Sequence, residues 1–342
     1  MLSSMLRFIS IFLFAVTLSP SIAIASSDSL SLSNQIQPLA IKSIILDIAV
    51  KDETMVAVGE RGHIFIFDEK STPKWRQVPS PTSSHLTKVF FTTPSLGWAV
   101  GHDATIIHTQ DAGLTWQVQM SSPEIEKPLM DVLFFDTDNG VAIGAYGLFY
   151  RTDNGGKNWT PEYHEELLFE EDIAYLAELK AEDEALYLSE RSTLLPHFNR
   201  IIATNDGRLI MVGELGLVSV SDDSGVNWQK LDFVYEGSLF NVIESDNGFY
   251  VMGLRGNIFQ TGLDLNRWDQ VMLPTKSTIN GAILAKDGGL RVVGNAGVIL
   301  DITANGKGEL VTQRQGENLV SIARDPQGHI WVAGTKGLFE LK

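Results

Sequence analysis

Apolar residues along this chain come in short runs, many of them alternating with polar ones, and each run stops at a glycine, proline or Asx signal. In the first complete stretch the runs are Leu46–Val50, Met55–Val58, Ile64–Phe67 and Trp75–Val78. Such spacing predicts β-strands of about five residues and no helix. The second run of each stretch ends in glycine. The fragments are VAVGERG (56–62), WAVGHDA (98–104), VAIGAYG (141–147), IMVGELG (210–216), YVMGLRG (250–256), VVGNAG (292–297) and WVAGTKG (331–337). Lead glycines Gly59, Gly101, Gly144, Gly213, Gly253, Gly294 and Gly334 are spaced by 42, 43, 69, 40, 41 and 40 residues. Four strands and their turns fill about 40 residues, the size of one propeller blade. The pattern therefore predicts an all-β chain: a seven-bladed β-propeller with four-stranded blades and one insertion.

The G-x-x-G fragments fit the hairpin between second and third strands, where glycine supplies positive φ. The second fragment has Ala104 at the second glycine, so its turn is expected to differ. A second signature, S/T-x-D-x-G-x-x-W, falls where strand three turns into strand four. It reads Thr109, Asp111, Gly113, Trp116 in one unit and Ser221, Asp223, Gly225, Trp228 in another. Thr152, Asn154, Gly156 and Trp159 form a third, with asparagine for aspartate. These residues resemble the Asp-box, or BNR, repeat of sialidase-like propellers. Their chemistry is local: the acid and hydroxyl bond turn amides, glycine permits the turn and tryptophan packs between blades, so the expected role is structural. The last unit holds three strands, and Leu30–Leu39 is expected to supply its fourth, closing the ring without exposed edges.

Residues 1–25 read as a signal peptide: Arg7, the apolar Phe8–Leu18, then Ala23-Ile-Ala25 before Ser26. Cleavage near Ala25 would leave an exported, periplasmic chain of one domain, 26–342, with no membrane insertion of its own. The sequence has no cysteine, hence no disulfide and no site for lipoprotein acylation. Its formal charge is −16, and losing Arg7 without any acid makes it −17. Nucleic acid and anionic lipid are thereby poor partners. Eleven acids against Lys180 and Arg191 lie in 160–198, the excess over the repeat length, where composition from Glu170 to Glu190 turns helical. Leu176, Leu179 and Leu186 share one face there, with Tyr175 near it. Because it joins a fourth strand to a first strand, the insertion should emerge on the G-x-x-G side of the ring, as a solvated rim or as a docking element.

That side is also where a ligand or partner would meet the channel mouth. Its turns offer Glu60, Arg61, His102, Asp103, Tyr146, Glu214, Arg255 and Lys336, a polar ring of mixed sign. A sialidase would need clustered arginines and a tyrosine activated by an acid; Arg61 and Arg255 make no such cluster. The seven histidines lack ligand spacing, and no nucleophile or phosphate motif occurs. No catalytic residue, metal or cofactor is expected, and the chain is read as a non-enzyme.

The G-x-x-G turns, the Asp-boxes and the phrase L-x-x-V-x-F…G-W-A-V-G (Leu86–Gly101) together resemble the photosystem II stability/assembly factor family of propellers. The resemblance implies a non-catalytic scaffold that binds a newly made membrane protein; relatives outside photosynthesis are exported propellers, some thought to accompany transporters. Photosynthetic members carry an arginine patch, and this acidic chain shows no comparable cluster. The expected function is an exported scaffold binding a protein partner, as accessory or assembly factor to an envelope membrane complex or transporter. The alternative is a glycan-hydrolysing or glycan-binding protein of sialidase type, which requires three basic side chains around a pocket.

Overall fold

The computed structural model describes residues 36–342. Seven antiparallel sheets follow one another in chain order, six of four strands and one of three among the described residues. Blade 1 comprises Ile45–Lys51, Thr54–Gly59, Ile64–Phe67 and Trp75–Val78; later blades begin at Leu86, Leu129, Phe198, Leu239, Ile279 and Leu319. Each first strand lies against the first strands of both neighbours, and the last lies against the first. The chain is therefore the seven-bladed propeller that its spacing predicts. Second strands such as Gly97–Gly101 and Leu209–Gly213 are buried throughout, since both of their faces meet adjoining blades. The core is correspondingly divided between blades: Val56, Val58 and Ile64 of blade 1 meet Ala99, Ile107 and Trp116 of blade 2.

The lead glycines owe their identity to close approach. A Cβ on Gly59, Gly101 or Gly253 would lie 2.2, 1.9 or 2.0 Å from the carbonyl oxygens of Ile44, His85 and Ser238. That carbonyl, just before the first strand, accepts the N–H following the glycine in all seven blades, at 2.9 to 3.0 Å. The second glycines serve the turn itself. Arg61 and Gly62 both have positive φ (55° and 70°), which makes a two-residue type I′ hairpin. In blades 1 and 3 to 6 the central pair is thus the residue before the second glycine and that glycine, one position later than the residues between the glycines; in blade 7 Gly334 pairs with Gly337 and Thr335–Lys336 form the turn. Ala104 overturns an expectation, because it keeps the same turn at φ 45° with Thr105 N–H donating to the His102 carbonyl.

The Asp-boxes are latches as their chemistry implies. Thr109 Oγ1 accepts the Gly113 N–H at 3.0 Å and donates to Asp111 Oδ1 at 2.8 Å, while Asp111 accepts from Thr115. Trp116 Nε1 donates to the Gly113 carbonyl at 2.9 Å. Ser221, Asp223, Gly225 and Trp228 repeat this geometry. In the third box Thr152, Asn154 and Gly156 keep the turn, but Trp159 Nε1 has no partner among the described residues.

Two expectations change at the ends and in the insertion. Of the proposed closing strand, Leu30–Gln35 lies outside the described residues, and Ile36–Leu39 forms no strand, Pro38–Leu39 being a turn that leads into a 3-10 turn, Ala40–Lys42. Among the described residues, blades 7 and 1 are joined by Ala40, by a cluster of Phe67, Trp75 and Trp331 with ring centroids 5.2 to 5.6 Å apart, and by the inner strands. The insertion holds two helices, α1 (Glu170–Glu182) and α2 (Glu184–Leu194). Asp183 separates them and caps the second by accepting the Leu186 N–H at 3.0 Å. Leu176 and Leu179 are buried as expected, while Tyr175, on the flank of the same helix, is exposed. The break rotates the register of α2, so Leu186 is exposed and Tyr187 is buried instead. Leu167, Leu168, Leu176, Leu179, Tyr187 and Leu195 join the core between blades 3 and 4. The hairpin is on the expected side, with α2 against the Ala145–Gly147 turn.

Gly253→Ala should lower stability by about 3 kcal/mol in urea denaturation, because backbone must move to admit the methyl group. Gly288→Ala, with φ +82° and open space around it, should cost only about 1 kcal/mol. The amide and side chain of Asn227, then Ser221, hold the Asp223 carboxyl down at about 2. A depressed folded-state value adds stability above the ordinary pKa of 3.8 and loses it as pH falls through about 2. Wild type should therefore melt above Asp223→Asn at pH 6, with the margin shrinking below pH ~4 in thermal scans.

Candidate functional site

The structure distributes the turn-face candidates one or two to a blade and brings only some of them together. Arg61, Arg255 and Lys336 are exposed at separate turns, as is His102, whose ring lies 5.3 Å from that of His85. Glu60 reaches back to the Ile44 N–H at 3.4 Å, and Asp103 accepts from Ser84 Oγ at 2.7 Å. Tyr146 and Glu214 do meet, through His197, a residue without apparent spacing in the sequence. The Tyr146 ring is 4.4 Å from the His197 ring, and His197 Nδ1 is 3.5 Å from Glu214 Oε1. Lys127 Nζ sits 5.2 Å from the Tyr146 ring and donates to the Ser192 carbonyl of α2, so this group ties blade 3, the insertion and blade 4 together. Burial lowers the Lys127 pKa. Tyr146 and Leu215 remain 44% and 55% exposed beside it.

A second site, absent from the sequence-based candidates, is the central channel, a cavity of about 340 Å³. Its wall consists of the first strands, and each has a β-bulge at its second residue: Leu46, Thr87, Met130, Asn199, Phe240, Asn280 and Val320. The bulge turns side chains toward the next blade. Ser321 Oγ accepts the Ile48 N–H at 3.3 Å, Asp47 Oδ2 the Val89 N–H at 3.2 Å, and Asp131 Oδ2 the Ile201 N–H at 2.9 Å. At the other junctions Thr87, Asn199, Asn241 and Asn280 donate to carbonyls of Leu129, Leu239, Asn280 and Leu319. All seven blade junctions are clasped this way. Lys88 and Arg200 each add a charge at 3.0 Å to the nearly buried Asp47 and Asp131. The signal was in the sequence, one or two residues beyond the apolar residue that opens each unit, but it carries no motif.

Chemically this channel offers two cations, both already paired with acids, so the three basic side chains a sialidase-type site requires are not gathered there. No group of acids and histidines suited to a metal occurs among the described residues. No helix among them is long and apolar enough to cross a membrane.

Comparison with known proteins agrees with this geometry. Residues 67–167 match the family model of the photosynthesis system II assembly factor YCF48. A photosystem II assembly lipoprotein Ycf48 from Synechococcus sp. (strain CC9902) is 25% identical over 276 residues, 78% of this chain and 75% of the relative. A solved structure of YCF48 bound to D1 peptide superposes with a TM-score of 0.63 at 18% identity, covering 89% of this chain and 94% of the other. YCF48 from Cyanidioschyzon merolae gives 0.64 at 16% identity, covering 88% and 96%. The structural likenesses establish the fold. The named relatives are photosystem II assembly proteins.

Asp131→Ala would leave the Arg200 charge and the Ile201 N–H without their partner, and should cost about 3 kcal/mol in chemical denaturation. Asn241→Ala, which gives up one bond of 3.4 Å, should cost under about 1 kcal/mol.

Proposed function

We propose that this chain, a photosystem II stability/assembly factor-like propeller with BNR repeats, is an exported assembly factor that holds an exposed segment of a membrane-protein complex on its G-x-x-G face. The carrying observation is the sector at blades 3 and 4. There, exposed Tyr146 and Leu215 stand on two adjacent turns beside the α1–α2 hairpin, whose inner side is locked into the blade core. Large apolar side chains on a rigid support with a polar rim are what a protein-docking surface needs. The opposite face carries the Asp-box latches, whose polar groups are consumed by their own turns.

The names of the relatives make photosystem II the first partner to test, ahead of a transporter. The Synechococcus relative is named a lipoprotein, whereas this sequence has no cysteine to carry such a lipid. We take the chain to work on the exported side of a membrane, reached through the signal peptide read at residues 1–25.

Crosslinking and pull-down from the producing organism's membranes tests the assignment. Wild type should capture a membrane-protein subunit, with photosystem II subunits examined first. The pair Tyr146→Ser and Leu215→Ser should reduce capture at least about fivefold, the loss of two interface anchors. The pair Leu114→Ser and Val226→Ser, on exposed residues of the Asp-box turns, should leave it unchanged. Loss on the Asp-box face alone, or capture of no membrane protein, would refute the docking face.

A further inference from the structure

The amide clasps of the inner ring are not uniform, and the amides that no side chain takes belong to three successive blades. In blades 1, 2 and 4 the fourth residue of the first strand (Ile48, Val89, Ile201) gives its N–H to an oxygen from the preceding blade: Ser321, Asp47 or Asp131. In blade 3 the Val132 N–H is taken at 2.8 Å by Asp131 of its own strand. Blades 5, 6 and 7 have the same bulge and the same register, which place Val242, Ala282 and Ile322 at the equivalent position. Among the described residues no side chain accepts from these three amides. The residues that would do so are Arg200, which has no acceptor, Asn241, whose amide group is turned to the Asn280 carbonyl, and Gly281, which has no side chain. All six of these residues line the channel cavity. Arg200 Nε, also on the wall, is buried without a partner.

We propose that the channel is a carboxylate-binding site, in which a ligand's carboxylate takes the place at blades 5 to 7 that Asp47 and Asp131 hold at blades 2 and 4. The protein's own clasps set the precedent for the chemistry: a carboxylate between adjacent first strands, accepting one backbone N–H while a neighbouring cation faces it. Successive backbone N–H groups turned into one concavity bind anions for the same reason. Both resident acids are neutralised by Lys88 and Arg200, so the wall opposes an anion far less than the acidic outer surface does. The cavity, about 340 Å³, suits a small mono- or dicarboxylate, or the acidic side chain of a partner entering from the mouth. This inference goes beyond the docking face and does not depend on it, since a free carboxylate can bind without any protein partner.

Amide chemical shifts of the full chain test it. Sodium acetate, sodium glutarate and a capped Ala-Glu-Ala peptide are titrated in separate arms, with sodium chloride as the control. The Val242, Ala282 and Ile322 amides should shift saturably with carboxylate and not with chloride. Saturation by acetate or glutarate identifies a free small carboxylate, and saturation by the peptide alone identifies a partner's acidic side chain. Asn241→Asp, which installs a resident carboxylate at the clasp position, should weaken the response at least tenfold. No saturable shift at these amides in any carboxylate arm, or an equal response to chloride, would overturn the proposal on wild type alone; an unchanged titration in folded Asn241→Asp would overturn it as well.

Discussion

Everything in this molecule hangs on one short contact repeated seven times: the carbonyl just ahead of each first strand pressed against a lead glycine and bonded to the N–H that follows it. The contact joins the linker arriving from the previous blade to the hairpin between strands two and three. It thereby fixes how far each blade turns relative to the last. Any side chain at the glycine would force the linker outward, and a ring of seven such displacements could not close. The lead glycine is thus selected by crowding, while second glycines such as Gly62 combine crowding with a positive φ.

Inside that frame the first strands meet around the channel, and their bulges convert seven open strand edges into seven side-chain clasps. The clasps use whatever residue the repeat offers, an acid, an amide or a hydroxyl, and so tolerate wide sequence change. The two faces of the ring differ because of the same geometry. On one face the Asp-box side chains are spent on their own loops; on the other, turn side chains are held up by glycine-anchored backbone, and Arg61, Tyr146, Leu215, Arg255 and Lys336 are exposed. The α1–α2 hairpin enlarges that second face without loosening it, since its leucines and Tyr187 complete the core between blades 3 and 4.

Much of this was legible in the sequence because it is periodic. The seven fragments gave the blade number, and Thr109, Asp111, Gly113 and Trp116 gave a turn whose hydrogen bonds appear as their chemistry requires. What was not legible depends on partners distant in sequence. Ala104 looked like a different turn, yet neighbouring strands impose the turn on it. Leu186 was read as sharing one helical face with Leu176 and Leu179, but Asp183 caps a second helix and shifts the phase. His197 had no pattern to mark it, since Tyr146 and Glu214 reach it from two different blades. The channel residues escaped notice because they alternate between two strand positions and share no residue type.

The clasp between Ser321 and Asp47 joins residues 274 apart, whereas the clasp from Asp47 to Val89 joins residues 42 apart, as neighbouring blades require. Assembly order follows from that disparity. Each interior junction is available as soon as the next blade exists, so the propeller can grow progressively from its first blade, but the seam between blades 7 and 1 must await the whole chain and carry the full loop-closure entropy. Trp75 and Trp331, half-partnered until then, leave the seam the most vulnerable edge of a growing polypeptide and the natural place for the finished ring to open first.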